Sequence, residues 1–252
     1  MTQRSIDLNC DLGEDAAAAA RDAALLEIVT SANVACGGHA GDAESMRRTV
    51  RAALARCVAV GAHPGYPDRE RFGREDLAMA PEALAASVAG QIEALRAIAL
   101  EAGAPLRHVK PHGALYNRAA VDPAVATAIA DGVARIDAGL AIVGLAGSRA
   151  VDGWRRAGFL TIGEGFVDRR YEPDGRLRSR RHSDALITEP DAAAAQAVRI
   201  AAEGWVEAVG GMRVAVAAGS LCVHSDTPGA LEIAVAVRHA LEAAGIAVRA
   251  VA

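Results

Sequence analysis

Acidic, imidazole and cationic side chains recur in this sequence in short clusters with regular spacing. In DLNCDLGE, Asp7, Asn9 and Asp11 take alternate positions of a short run, and Glu14 follows just beyond it. An extended chain turns alternate residues to one face, so three oxygen-bearing side chains point together while Leu8 and Cys10 point away. A lone aspartate here would read as an ordinary turn or cap residue; three aligned ones offer a charged, hydrogen-bonding surface. His39 and Asp42 follow in CGGHAGD, and His63 in GAHPGYPD, each histidine in a glycine-containing stretch that lets a ligand or another backbone approach closely. RHVKPHGALYN then sets His108, Lys110 and His112 at alternate positions, and Lys110 is the only lysine among 27 Lys+Arg. Two later clusters are GEGFVDRRY, with Glu164, Asp168, Arg169, Arg170 and Tyr171, and VHSDTPGA, with His224, Asp226 and Thr227.

These residue types suit acid–base chemistry on a polar substrate. His39, His63 or His112 could act as general base toward water, with Asp11 and Lys110 beside them. Lys110, a compact ammonium where arginine's planar fork would not fit, and the Arg169/Arg170 pair could hold phosphate, carboxylate or oxyanion charge. Asp7, Asp11 and Glu164 could orient the bases or bind a divalent cation. Asn9, Glu14, Asp42, Glu164, Arg169, Arg170, His224 and Asp226 are the candidates for substrate contact. Asp226 and Thr227 also open a helix, whose N–H groups favour an anion, and either could simply cap it. No residue is assigned as a metal ligand, because the acids and histidines are scattered and lack a compact spacing. Asp11 with His39 and His63 is the set that a metal-dependent hydrolase would use. A Schiff base on Lys110 is a further alternative.

The elements that carry these clusters alternate along the chain. Short apolar runs expected as strands are SIDLN, SANVAC, VAVGAH, RHVKPH, LAIVGLA, FLTIGEGF, RVAVAAGSLCVH and GIAVRAV. Between them lie helical patterns, notably residues 81–103, opened by Pro81 and closed by Gly103, and residues 227–245, with Thr227 at the start and Gly245 at the stop. Strand followed by helix, repeated, predicts a parallel sheet with helices outside. Nearly every strand ends in a polar or glycine-rich cluster. A barrel gathers all such ends on one rim, whereas an open sheet concentrates its site at one switch point. The pattern therefore predicts an α/β barrel, with residues 1–252 as a single domain.

Composition narrows the function classes. A formal net charge of -4 argues against nucleic acid or an anionic membrane as the main partner. The basic stretch RLRSRRHSD (176–184) reads as a solvated or partner-facing loop. No secretory leader and no membrane span are expected, and four cysteines without a CxxC pair suggest reduced thiols in a cytoplasmic protein. No GxxxxGK[ST], HExxH, GxSxG or GxGxxG motif is present. Self-association into a homo-oligomer stays open.

Taken together, DLNCDLGE, ANVACGGHAGD, GAHPGYPDRERFGR, HVKPHGALYN, FVDRRY and VHSDTPGA resemble the LamB/YcsF family, from Asp7 to beyond Thr227. That resemblance implies a seven-stranded, distorted TIM-like barrel of the glycoside hydrolase/deacetylase type. It implies a hydrolase acting on a cyclic amide: the A subunit of an enzyme that opens 5-oxo-L-proline to L-glutamate with ATP, alongside separate B and C subunits. A γ-lactam resists hydrolysis and needs activation, yet this chain has no recognisable nucleotide loop, so whether ATP contacts it stays open. A stand-alone metal-dependent hydrolase or deacetylase of the same barrel type is the alternative. Gly38 and Gly65 stand where the family resemblance leads one to expect bulkier side chains.

Overall fold

The computed structural model describes residues 4–251. Seven parallel strands close into a barrel: β1 (Ser5–Leu12), β2 (Ser31–Ala35), β3 (Ala59–His63), β4 (Leu106–Val109), β5 (Ala141–Leu145), β6 (Thr161–Phe166) and, closing onto β1, a strand at Ser220–Val223. The intervening β7 (Trp205–Glu207) and β8 (Arg213–Ala215) form a separate antiparallel hairpin, so Ser220–Val223 is β9. A two-residue β10 (Ala247–Val248) pairs with the start of β1. The barrel matches the expected seven strands. The stretch RVAVAAGSLCVH does not form one strand: its first part serves the hairpin and its second part the barrel, and β7 went unrecognised in the sequence.

Among the described residues, eight α-helices surround the barrel: α1 (Ala19–Leu25), α2 (Ala43–Leu54), α3 (Pro81–Glu101), α4 (Gly113–Val121), α5 (Pro123–Asp137), α6 (Arg149–Arg156), α7 (Pro190–Val198) and α8 (Ala230–Ala243). Pro81 opens α3 as its spacing implied, and Gly103 follows the helix with φ +78°. Contrary to the expectation that no segment is apolar enough to span a bilayer, α3 is long and apolar enough by length and composition. In the fold its Leu84, Val88, Ile92 and Leu95 are buried, and it packs on α5. Thr227 does not cap α8, which begins after Gly229 (φ +74°) without a side-chain cap.

The hydrophobic core lies between the sheet and the helices. Leu8, Cys10 and Leu12 of β1 face outward into it with Val34, Val60, Leu95, Ile129 and Leu221. The barrel's interior is different in kind. Asp7, Asn9, Asp11, Ser31, Asn33, His108, Lys110, Glu164 and Ser220 are all buried and joined by hydrogen bonds, above a small apolar patch of Ala141, Val143 and Ile162. A polar interior of this kind is stable only if its groups satisfy one another, because an unpaired buried donor or acceptor costs about 1–3 kcal/mol.

Candidate active site

The alternation in β1 sets three levels inside the barrel. At the lowest, the Asp7 carboxylate accepts hydroxyl hydrogens from Thr30 (2.7 Å) and Ser31 (2.7 Å). Burial pushes its pKa up, and the surrounding hydroxyls only partly oppose that. Asp7 is therefore a buried anchor, not a rim residue.

One level higher, two amides act as couplers. Asn9 donates to Glu164 Oε1 (2.9 Å) and Ser220 Oγ (2.7 Å), and its oxygen accepts from Asn33 (2.8 Å). Asn33 also donates to Asp11 Oδ1 (2.8 Å), while its oxygen accepts from His108 Nε2 (2.7 Å). Burial and the nearby Lys110 charge push His108 down to about 4, so it is a neutral donor at physiological pH. Gly61 of β3 makes room for that ring, since a Cβ there would collide with His108 Nε2.

Lys110 lies at the next level, 2% exposed. Strand β4 ends at Val109, yet the chain stays extended, with the amides of Lys110 and His112 donating to the carbonyls of Ala62 and Pro64. The alternation expected of His108, Lys110 and His112 thus survives past the strand. The ammonium is 2.9 Å from Asp11 Oδ1, 2.9 Å from Glu164 Oε1, and 3.2 Å from both Asn9 Oδ1 and Cys222 Sγ. Burial alone would lower its pKa, but Asp11 and Glu164 hold it well above the usual lysine value. Schiff-base chemistry needs a neutral amine, so this environment opposes that alternative. Cys222 is a neighbour of the ammonium, with burial keeping its thiol protonated.

Above Lys110, imidazoles and carboxylates crowd the rim. His63 Nδ1 lies 2.8 Å from the Lys110 carbonyl, and His112 Nε2 lies 2.9 Å from the Phe72 carbonyl. A carbonyl only accepts, so each of those nitrogens carries hydrogen. The remaining nitrogens, His63 Nε2 and His112 Nδ1, face each other at 3.0 Å. Glu14 Oε1 is 3.2 Å from His112 Nδ1, 3.7 Å from His63 Nε2 and 3.0 Å from His39 Nε2. Asp11 Oδ2 is 3.4 Å from His63 Nε2. Burial would depress the His63 pKa, but Asp11 and Glu14 raise it; burial dominates at His39, which falls to about 3, and lowers His112. Asp11 is held well below the usual carboxylate range by His63 and Lys110 despite its burial. Asp11 and Glu14 thus make His63 the more basic of the two facing imidazoles, and burial makes His112 the less basic.

Across the rim, Asp168 accepts from the His224 amide (2.9 Å), His224 Nδ1 (2.9 Å) and Thr227 Oγ1 (2.7 Å). Burial would raise its pKa, but His224 and these donors lower it. Thr227 therefore fixes Asp168 instead of capping α8. Asp226 pairs with Arg74 and with Arg180 (2.7 Å), and it does not cap the helix either.

These groups line a cavity of about 960 Å³ whose walls include Asp11, Glu14, His63, Lys110, His112 and His224. Arg169 and Asp226 also reach it, as do Arg176, Arg180 and Arg181. The basic stretch 176–184 is thus part of the cavity wall and not merely a solvated loop. Glu164 and Asn9 lie beneath the floor as partners of Lys110, so neither is placed to touch a substrate. His39 stands behind Glu14. Asp42 is exposed and caps α2 through Ser45 in a reciprocal pair of hydrogen bonds, and Arg170 is exposed outside the cavity, so both candidates fall away. Other side chains occupy the space expected of bulkier residues at Gly38 and Gly65: a Cβ at Gly38 would collide with Gln91 Oε1 and one at Gly65 with the His39 ring, while Gln91 bonds both backbone groups of Gly65. Asn33 went unrecognised in the sequence, although a polar residue at an alternate position of SANVA was a usable signal.

The LamB/YcsF family matches residues 6–252. The A subunit of 5-oxoprolinase from Chloroflexus aggregans is 54% identical over 247 residues, covering 97% of this chain and 98% of that one. The crystal structure of a lactam utilization protein from Thermus thermophilus superposes with a TM-score of 0.91 at 46% identity, covering 98% of this chain and 99% of that one. A family 4 carbohydrate esterase from Streptomyces lividans shares the fold at a TM-score of 0.51 and 14% identity, covering 99% of this chain and 93% of that one. The likeness in sequence spans every rim cluster, and this chain belongs to the LamB/YcsF family.

Proposed function

We propose that this chain is the A subunit of a 5-oxoprolinase, a hydrolase that opens the cyclic amide of 5-oxo-L-proline to L-glutamate in a complex of several different subunits. The observation that carries the reading is near-full-length identity to relatives of that name, together with a cavity whose floor pairs acid and base. Ring opening must create charge on the lactam oxygen, deliver water to the carbonyl and protonate the leaving nitrogen. His112, the less basic ring, is suited to accept a proton from water, and His63, whose pKa Asp11 and Glu14 raise, to return one to nitrogen. Arg169 and the arginines of 176–181 suit a carboxylate or phosphate at the cavity wall. Activation by ATP falls to the complex with its B and C subunits, since no nucleotide loop is present in this chain. The setting is cytoplasmic.

The test is reconstitution. Glutamate should form from 5-oxo-L-proline only when this chain, both partner proteins and ATP are combined. No glutamate from the complete mixture would refute the proposal. A second reading, a stand-alone metal-dependent hydrolase, is favoured by the gathering of Glu14, His39, His63 and His112 within 4.8 Å. Turnover of an amide or acetyl substrate by this chain alone, lost to a chelator, would select it.

A further inference from the structure

His63 Nε2 and His112 Nδ1 pose a chemical problem. Each ring's other nitrogen donates to a backbone carbonyl, so in neutral rings both facing nitrogens are lone-pair acceptors 3.0 Å apart. Two acceptors at that distance need a shared proton or a cation between them. Glu14 Oε1 completes a triangle with them at 3.2 and 3.7 Å. Three donors bound to one ion at ~2.1 Å stand roughly 3.0–3.4 Å apart, so two of the three spacings suit a single metal and the third, at 3.7 Å, would close slightly on binding. Asp11, 3.4 Å from the same His63 nitrogen, brings a second negative charge that a dication would offset.

His39 also approaches Glu14, but geometry separates it from the other two imidazoles. Its ring stacks on His112 with centroids 3.6 Å apart and planes within 3°. An ion bound in the plane of one stacked ring cannot lie in the plane of the other. The His63 and His112 planes are at 90°, which lets both aim at one point. Glu14, His63 and His112 line the cavity, whereas His39 does not.

From this arrangement we infer that Glu14 Oε1, His63 Nε2 and His112 Nδ1 form a binding site for one divalent transition-metal ion of the zinc class, with His39 as a positioning residue for Glu14. Two imidazoles and one carboxylate suit zinc or cobalt(II) better than magnesium or calcium, which take oxygen shells. The Lys110 and Phe72 carbonyls fix the two tautomers, as outer partners of metal-bound histidines do. A three-residue set on a cavity wall leaves a coordination position open to the cavity. The site stands on geometry; a role in polarising the lactam carbonyl would rest on the proposed function.

The test reads binding, not turnover, so its failure and the failure of the proposed function are distinguishable. The intact chain is stripped with chelator, checked for native circular dichroism, and titrated with zinc sulfate by calorimetry and with cobalt chloride by visible absorption. One equivalent of each should bind, with cobalt developing d–d bands. Glu14→Gln and His112→Asn should each abolish the equivalent while the native spectrum persists. His39→Gln should keep the stoichiometry and weaken affinity about 10–100-fold, as loss of an outer partner does. Absence of a bound equivalent in the folded wild-type chain would overturn the site and leave a shared proton between the two rings. An equivalent retained with unchanged cobalt bands in Glu14→Gln and His112→Asn would overturn the ligand set, and unchanged affinity in His39→Gln would overturn the role of His39.

Discussion

The barrel interior contains two polar regions built from the same residue types, and they behave in opposite ways. Below Lys110, Asp7, Asn9, Asn33, His108 and Ser220 satisfy one another, with Asp7 drawn toward its neutral form and His108 held neutral. Above it, Asp11 stays ionised, the His63 pKa rises beside Asp11 and Glu14, and Glu14 faces three imidazoles. Asp7 and Asp11 sit four residues apart on one face of one strand, so local sequence does not separate them. The difference lies in the surroundings: hydroxyls and amides neutralise demand below, whereas cations and an open cavity sustain charge above. Lys110 is the boundary, joined to Asp11 on one side and to Glu164 and Asn9 on the other.

Removing the boundary should have the largest effect. Lys110→Met leaves the Asp11 and Glu164 carboxylates buried without their cation, and breaking such a pair costs about 3–5 kcal/mol. Chemical denaturation of the purified variant should show that loss, and wild-type stability would mean the two regions do not depend on the ammonium. Lys110→Arg keeps the charge but forces a larger planar head into the cage. The fold should persist while turnover of the reconstituted complex falls at least ~100-fold, about 2.7 kcal/mol at the transition state. Turnover near wild type would reduce Lys110 to a structural cation.

A smaller effect is expected at Asp168, which is ionised like Asp11 but anchors the opposite side of the rim. Asp168→Asn removes charge-assisted bonds worth about 1.5–3 kcal/mol. The Asp168 pKa is lower in the folded chain than the ordinary 3.8. Its stabilisation is therefore complete above that value and disappears as pH falls through the folded pKa. Stability curves of wild type and Asp168→Asn should converge in strong acid; a constant gap down to the lowest pH would contradict an ionised Asp168.

In the lower region, Gly61→Ala drives a methyl against His108 and should lower stability by about 1–3 kcal/mol through overpacking. A neutral result in thermal unfolding would show that the lower network yields more readily than its satisfied bonds suggest. The smallest change is Asp42→Ala, outside both regions: loss of the α2 cap should lower the thermal midpoint slightly and leave turnover intact. A large turnover defect there would restore Asp42 to the site.

Much of this was legible in the chain. The alternation of Asp7, Asn9 and Asp11 and the polar ends of the strands pointed to one rim of a barrel, because a strand's two-residue period is local. His108, Lys110 and His112 kept their shared face even after β4 ended, since pairing with the β3 side holds the backbone extended. Asp42 and Thr227 were misjudged for opposite reasons. An aspartate before a helix can cap or bind, and only the position of Ser45 shows that Asp42 caps. Thr227 looked like a cap, but Asp168, far away in sequence, claims its hydroxyl.

The sequence by itself determined the strand–helix alternation of the barrel, the strand faces and the family, all of which rest on local periodicity and on motifs short enough to read in line; the β7–β8 hairpin was not among them. Only the tertiary structure decided which acids are charged, which histidine is the more basic, and that Glu14, His63 and His112 face one another. Those properties depend on distances between residues that chain closure brings together from β1, β3 and the segment after β4. Electrostatic interaction and metal geometry depend on such through-space distances and on burial, and neither is written in the spacing of residues along the chain.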